Sequence, residues 1–455
     1  MRSLFVIAIL GLLTSCGNSE NSVQSNKDGI ILKVTHDKPV DTVVLKTDPR
    51  YKLYDQPDTI ITYTGENSIL LDTINIPKGY YELSSNNKVN KIYLQANSRL
   101  EINNLDTATT FKGDLADINR YIAVREGKNR ELRPYFSPFS YGKLTEKEFL
   151  RLNDSIYSVF SELVKNLKNL PEAFRSNELN IAKIEKANQL LTYTFVRPRN
   201  EKDYEPSENY PAPLSEIDLN NEELLNIDRF RVLLWSYANV KASKTDMETW
   251  EYILSEDFPS KNPKVKQEVF YTAGIFDLPR MRDPDGYYEK SQQFLEAGTK
   301  RNELTEKYYE LKKIGKGFPA PEFQLTNLEG EPVALKDFKG SVVYLDFWSN
   351  SCKPCIEDMP EFKKLQKDFE NKDVKFISIA ITSNRERVES ILEKNKMTGI
   401  QLFQPGKDKE LMKDYAVTSI PRYVLVDRDG NIWNHIAPRP TDPELKEQLN
   451  KLLGS

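Results

Sequence analysis

Histidine and cysteine are scarce in this chain, with two and three among 455 residues. His36 and His435 leave little material for a metal site or for histidine-based catalysis. Cys352 and Cys355 form one close pair, and a zinc ribbon needs two further Cys or His ligands at matching spacing. Haem attachment needs a histidine after the second cysteine, where Ile356 stands. No metal and no cofactor are therefore expected. Charge of one sign is also lacking: 64 basic against 68 acidic residues give a net charge of −4. So small a net charge argues against nucleic acid as the main partner, because phosphate binding wants a concentrated basic field. A membrane span is lacking at the start of the chain. The apolar run 4–13 would make a helix only about 15 Å long, against about 30 Å for a bilayer core. What remains is 39% apolar and 29% charged residues, a soluble globular composition. The length exceeds one ordinary core, so two or three domains are expected.

Residues 1–16 read as a secretory signal peptide, with a basic start at Met1-Arg2 and the short apolar run behind it. The run closes on Leu13-Thr14-Ser15-Cys16, which resembles the lipobox of bacterial lipoproteins. The resemblance implies cleavage before Cys16 and acyl chains on that residue. Two or more such chains anchor stably, where one is marginal. An ordinary leader with a chance cysteine is the alternative. Residues 17–27 then form a flexible tether. Gly17 follows the cysteine in place of an Asp that would signal inner-membrane retention, and no acidic cluster signals display outside the cell. The expected location is the cell envelope, lipid-anchored in the outer membrane and facing the periplasm.

Three segments follow, so the fold class is multidomain. Residues 28–110 carry β-branched runs at 30–34, 42–45, 59–63, 69–74, 80–83, 91–94 and 99–102, separated by Asn, Asp, Gly and Pro. That pattern predicts an antiparallel, β-sandwich-like module. Residues 111–313 form a helical region. Phe149, Leu152, Ile156, Val159, Phe160 and Leu163 recur at helical spacing, and the runs 224–234 and 303–314 behave likewise. Its aromatic residues read as core rather than as a ligand box. Gly315-Lys316-Gly317 breaks the pattern, and residues 317–455 alternate strand and helix. Strands are expected at 342–347, 374–381, 422–426 and 432–436. Helices are expected at 355–369, 385–396, 411–415 and from Pro443 onward, giving an α/β domain.

The chemistry sits where strand 342–347 meets helix 355–369. A disulfide exchanger needs a reactive thiolate and a second thiol close enough to expel the partner. Cys352-Lys353-Pro354-Cys355 has that spacing. At a helix start, unpaired N–H groups and the macrodipole stabilise a thiolate on Cys352. Cys355 lies one turn on, and Pro354 falls where its missing N–H costs nothing. Lys353 adds a positive charge beside the nucleophile or is a solvated helix-start lysine; both readings stay open. Asp346, inside an otherwise apolar strand, is costly unless it does a job or finds a partner. Burial should raise its pKa and suit it to proton transfer with Cys355. A satisfied structural aspartate is the alternative.

The run 340–348 leading into Cys352-Lys353-Pro354-Cys355 resembles the active-site strand of the thioredoxin superfamily. Within it, the chain is most similar to the TlpA and ResA-like periplasmic thiol–disulfide oxidoreductases. Phe318-Pro319-Ala320-Pro321, Asp337-Phe338-Lys339-Gly340, Thr418-Ser419-Ile420-Pro421 and the hairpin 426–432 match that family. Residues 28–110 in turn resemble the β module that often precedes such domains in envelope lipoproteins. The family resemblance implies that Cys352 attacks, that Cys355 resolves, and that Ile420-Pro421 is cis and presents its backbone to an extended substrate. Asp346, Pro421, Trp348, Ile420, Lys353, Pro354 and Glu357 complete the expected site, although a solvated helix face explains Glu357 equally well. Ser351 stands where the superfamily commonly has Trp, and Asp346 is the choice of thioredoxin itself.

No histidine separates the cysteines, and Pro354 is typical of reducing members. The expected function is reduction of protein disulfides, with a membrane electron donor recharging the pair. Two alternatives are a binding or scaffold lipoprotein with a vestigial thioredoxin domain, and a reductant dedicated to cytochrome c maturation.

Overall fold

The computed structural model describes residues 29–454, apart from 36–39, 49–59, 66–67, 75, 86–87, 104–108, 168, 383 and 405–409. The leader, Cys16, the tether and His36 lie outside the described residues. The described chain forms two compact units. One runs to Tyr141 and includes Asp154–Leu179; the other comprises Gly142–Asn153 and everything from Asn180. Among the described residues no helix is long and apolar enough to cross a membrane.

The first unit opens with eight strands: β1 (Ile30–Thr35), β2 (Val40–Thr47), β3 (Ile60–Gly65), β4 (Ser68–Ile74), β5 (Gly79–Ser85), β6 (Lys88–Leu94), β7 (Arg99–Asn103) and β8 (Thr110–Gly113). They pair into two sheets, ordered β4-β1-β7-β8 and β3-β2-β5-β6. Alternation decides which side faces in: Ile30, Leu32 and Val34 of β1 are fully buried, with less buried residues between them. The module is not wholly antiparallel as expected, because β1 and β7 run parallel, Leu32 beside Leu100. The chain between them is long enough to return to the same end of the sheet, which a hairpin cannot do. β8 was not foreseen, since Phe111 is its one buried residue.

Helices α1 (Ala116–Leu132), α2 (Pro138–Tyr141), α3 (Glu146–Asn166) and α4 (Glu172–Val196) follow. Polar side chains fasten α1. Asn119 accepts from the Tyr93 N–H at 2.8 Å and donates to the Tyr93 carbonyl at 3.0 Å, extending the backbone pairing of β6. Arg125 donates to both oxygens of Glu178 at 2.8 and 2.9 Å, and the Tyr121 hydroxyl donates to Glu178 at 2.8 Å. Tyr80 donates to Glu178 as well. All these side chains are buried, so this carboxylate is held by three donors from one strand and one helix.

In the second unit, α5 (Asp228–Ala242), α6 (Thr249–Leu254), α7 (Pro263–Asp277), α8 (Pro284–Phe294) and α9 (Thr299–Lys312) precede the C-terminal sheet. The expected helix at 224–234 is split. Asn221 caps a 3-10 turn over Glu222–Asn226, Ile227 is extended (φ −102°, ψ 104°), and α5 starts anew behind it.

The C-terminal sheet has seven strands: β9 (Gln324–Thr326), β10 (Pro332–Ala334), β11 (Val342–Trp348), β12 (Val374–Ile381), β13 (Ile400–Gln404), β14 (Arg422–Val426) and β15 (Ile432–Asn434). Their order is β10-β9-β13-β12-β11-β14-β15. β11 lies inside, parallel to β12 and antiparallel to β14. It is buried along its whole length, which explains a run that is apolar except at Asp346. Three helices join these strands, α10 (Lys353–Asp368), α11 (Arg385–Lys394) and α12 (Glu410–Asp414), and α13 (Pro443–Gly454) follows β15. Val343, Leu345 and Phe347 share one cluster with Ile377, Ile379 and Val424. Val342 and Tyr344 point the other way, into a cluster with Phe362 and Leu365 of α10 and Leu445 and Leu449 of α13. The sheet is therefore a middle layer, and the end of β11 delivers the chain directly to the start of α10.

Candidate active site

β11 ends at Trp348, and a short turn brings Cys352 to the N-cap of α10 with extended backbone (φ −85°, ψ 94°). The Cys352 N–H donates to the Ser349 carbonyl at 3.0 Å, and its own carbonyl accepts from Ile356 at 3.2 Å, starting the helix. Pro354 sits in the first turn, where no helical acceptor is needed. Cys352 and Cys355 are joined by a disulfide, with Cα atoms 5.3 Å apart. The Cys355 N–H also donates to the Cys352 sulfur at 3.3 Å. One sulfur is thus held at the positive end of the helix, where a thiolate is stabilised.

Cys352 is more covered than an accessible nucleophile is expected to be, with 7% exposed, and Cys355 is the more covered of the two at 4%. They belong to an apolar cluster with Trp348, Met359, Val388 and Phe403, and Ile420 packs against it. The neighbours Ser351 and Lys353 are exposed. Lys353 and Glu357 face each other at 3.5 Å with their side chains 71% and 60% exposed. Such a pair is screened by solvent and contributes little.

The loop before β14 completes the surroundings. Ile420-Pro421 is a cis peptide. Arg422 pairs with Phe347, so the loop lies beside the end of β11 that leads to the cysteines.

Asp346 shares the face of β11 that carries Tyr344 and Trp348, because side chains alternate along a strand. That face is covered by α10, through Phe362 next to Tyr344 and through Cys355 and Met359 next to Trp348. The Ser378 hydroxyl donates to Asp346 Oδ2 at 3.3 Å, and Oδ1 has no partner. Burial pushes the carboxyl up to about 8, with the charge of Asp358 adding to the rise and the Ser378 bond opposing it.

Asp358 was not singled out from the sequence. It is 3% exposed, one turn beyond Cys355. The Tyr423 hydroxyl donates to its Oδ2 at 2.8 Å, and Arg439 donates to both oxygens, at 2.9 and 2.7 Å. The helical pattern held the signal, since Asp358 lies beside Met359 among the positions that α10 buries, whereas Glu357 is exposed. The region therefore holds two buried carboxyl groups, one clamped by a bidentate arginine and one nearly bare.

The Redoxin family matches residues 315–450. The thiol-disulfide oxidoreductase ResA of Bacillus thuringiensis is 34% identical over 142 residues, which cover 31% of this chain and 80% of ResA. The thioredoxin-like protein YneN of Bacillus subtilis is 32% identical over 147 residues, 31% of this chain and 84% of YneN. Among solved structures, a thiol-disulfide oxidoreductase from Bacteroides fragilis is 29% identical, with 30% of this chain and 99% of its own covered and a TM-score of 0.27. The cysteine pair at the start of α10 and the match to most of ResA agree. The chain belongs to the TlpA/ResA-like thiol–disulfide oxidoreductases of the thioredoxin superfamily, with its thioredoxin-like domain at the C-terminus.

Proposed function

We propose that the chain reduces disulfides in other proteins, with Cys352 as nucleophile and Cys355 as resolving thiol. The observation that carries this reading is the Cys352–Cys355 disulfide at the start of α10, with Ile420 of the cis-proline loop packed on the same cluster. The Cys352 thiolate attacks one sulfur of the substrate disulfide, and the other substrate sulfur leaves as a thiolate. In the fraction of molecules whose Asp346 is ionised, the Cys355 thiol then gives its proton to that carboxylate, and its thiolate attacks Cys352. The second substrate thiolate leaves and takes up a proton. The substrate disulfide has gained two electrons, and the Cys352–Cys355 disulfide holds the oxidising equivalents. Pro421 presents the loop backbone to the extended substrate. Trp348 and Ile420 shape the apolar surface around the sulfurs, and Pro354 fits the first turn of the helix.

A membrane-borne dithiol donor returns the two electrons, because the periplasm holds no reducing pool. The lipobox-like end of the leader supports an acylated Cys16 anchored in the envelope and facing the periplasm, at the outer membrane. Residues 28–110, 111–313 and 317–455 then serve as β module, helical domain and redox domain. The absence of a histidine between the cysteines supports the reducing direction.

The test is turnover of a protein disulfide such as that of insulin by the full chain, with dithiothreitol as donor. Wild type is expected to turn over, Cys352→Ser to be inactive, and Cys355→Ser to accumulate a mixed disulfide at Cys352. Turnover by Cys352→Ser equal to wild type would refute the assignment. Release of the protein from the membrane fraction in Cys16→Ser tests the anchor.

A further inference from the structure

The region ahead of the thioredoxin-like domain reaches its cis-proline loop. Behind α7, the 3-10 turn Leu278–Arg280 is seated by the buried Leu278. From that turn Arg280 Nη1 donates to the Ser419 hydroxyl at 3.2 Å, two residues before Pro421. Its Nη2 donates to the Phe276 carbonyl at 3.1 Å. A guanidinium has five N–H donors, and the Arg280 side chain keeps 43% of its surface exposed. Donors therefore remain for a visiting group.

Charge at this place is unbalanced. Arg422, next to Pro421, is 3% exposed; its Nη1 donates to the His435 carbonyl at 3.3 Å and its Nη2 has no partner. The carboxylate beside Arg280 is Asp277, 3.6 Å away, which also accepts from the Trp235 ring N–H at 2.7 Å. Burial raises Asp277 to about 6, and burial and the Arg280 charge hold Arg422 down to about 10. Burial and Arg422 hold His435 down to about 4, so it adds no charge at neutral pH. Arg280 thus has beside it one carboxylate that is costly to ionise and also feels the charge of Glu248, while Arg422 has no ion-pair partner among the described residues. Buried cations without a counter-ion are unfavourable, and an arriving anion relieves that penalty.

We propose that Arg280, backed by Arg422, is a specificity-determining residue that receives a carboxylate side chain on the substrate segment flanking its disulfide. This rests on the reductase reading above. The substrate lies along the cis-proline loop, and an Asp or Glu near its cysteine meets the guanidinium that the helical region places at Ser419. Planar guanidinium and carboxylate groups pair in a bidentate manner, so lysine is a poorer substitute.

The experiment uses the full chain and three disulfide-linked peptides identical except for Glu, Gln or Lys beside the cysteine. For wild type, kcat/KM is expected to be about tenfold higher for the Glu peptide than for the Gln peptide, mainly through KM, and lowest for the Lys peptide. In Arg280→Gln the Glu-to-Gln ratio is expected to fall to about one, and in Arg280→Lys to lie between. The ratio is internal, so partial unfolding, which lowers both rates alike, does not imitate the effect. A Glu preference that survives in Arg280→Gln, or equal wild-type rates for all three peptides, would overturn the inference and leave the reductase reading standing. Wild type turning over none of them would instead refute the reductase reading.

Discussion

The backbone N–H of Cys355 donates to the sulfur of Cys352 across 3.3 Å. The amide belongs to the first turn of α10, so it stays in place when the disulfide opens. It then stabilises a thiolate on Cys352, in addition to the helix macrodipole. Cys355 has no comparable position. In the reduced chain Cys352 is expected to be alkylated by iodoacetamide with a midpoint well below the free-thiol value of about 8.5, while Cys355 reacts slowly at neutral pH. A Cys352 midpoint at or above that value would remove the basis for calling it the nucleophile.

Asp346 makes stability depend on pH. Folded, its carboxyl titrates at about 8; in the unfolded chain it titrates at about 3.9. Between those values the folded state keeps a proton that the unfolded state has lost. Stability therefore falls as pH rises through this window and levels off above about 8. Asp346→Asn carries no such proton, so its advantage over wild type is expected to grow from near zero at pH 4 to at most about 5 kcal/mol at pH 8. Urea midpoints of the oxidised proteins at three pH values across the window check this. Curves that stay parallel would contradict it.

Asp358 and Arg439 act on that same titration. The Asp358 charge raises Asp346, and the bidentate Arg439 partly neutralises it. Asp358→Asn is expected to bring the Asp346 midpoint down, and Arg439→Ala to move it further up. Carbon NMR of the side-chain carboxyl resolves the two directions. Shifts of the same sign would show that Asp346 does not feel this pair.

The sequence displayed the redox domain better than the rest, and the reason lies in its local devices. A strand apolar except at Asp346, two cysteines at helical spacing and Pro421 before a further strand are each visible in a few residues. The burial of Val342–Trp348 and the cluster around Cys352 follow from them. Elsewhere the organising residues are polar and distant. α1 buries Asn119, Arg125 and Glu126 where an amphipathic pattern would place apolar residues, so its period was hidden. The partners of Glu178 lie 98 and 53 positions away, which no local pattern reports. The parallel pairing of β1 with β7 and the approach of Arg280 to Ser419 likewise belong to tertiary structure.

Glu178 ties the first unit together, and its removal tests how much. Glu178→Ala leaves the buried Arg125 with Glu126 as its ion-pair partner, at 3.1 Å, and strips acceptors from Tyr80 and Tyr121. Breaking a buried pair from one side costs about 3–5 kcal/mol. The variant is expected to be cleaved faster in residues 79–179 under limited proteolysis, with a lower urea midpoint. Cleavage at the wild-type rate would show that the network contributes nothing to stability.

The reduction potential of the Cys352–Cys355 pair bears most directly on the claim that this protein is a reductant. The full chain is equilibrated across a dithiothreitol series, and the dithiol fraction is trapped with a thiol reagent and counted by mass spectrometry. A value nearer to thioredoxin, at about −270 mV, than to DsbA, at about −120 mV, is expected. A value near the DsbA end would make the protein an oxidant and contradict the direction of electron flow proposed for it.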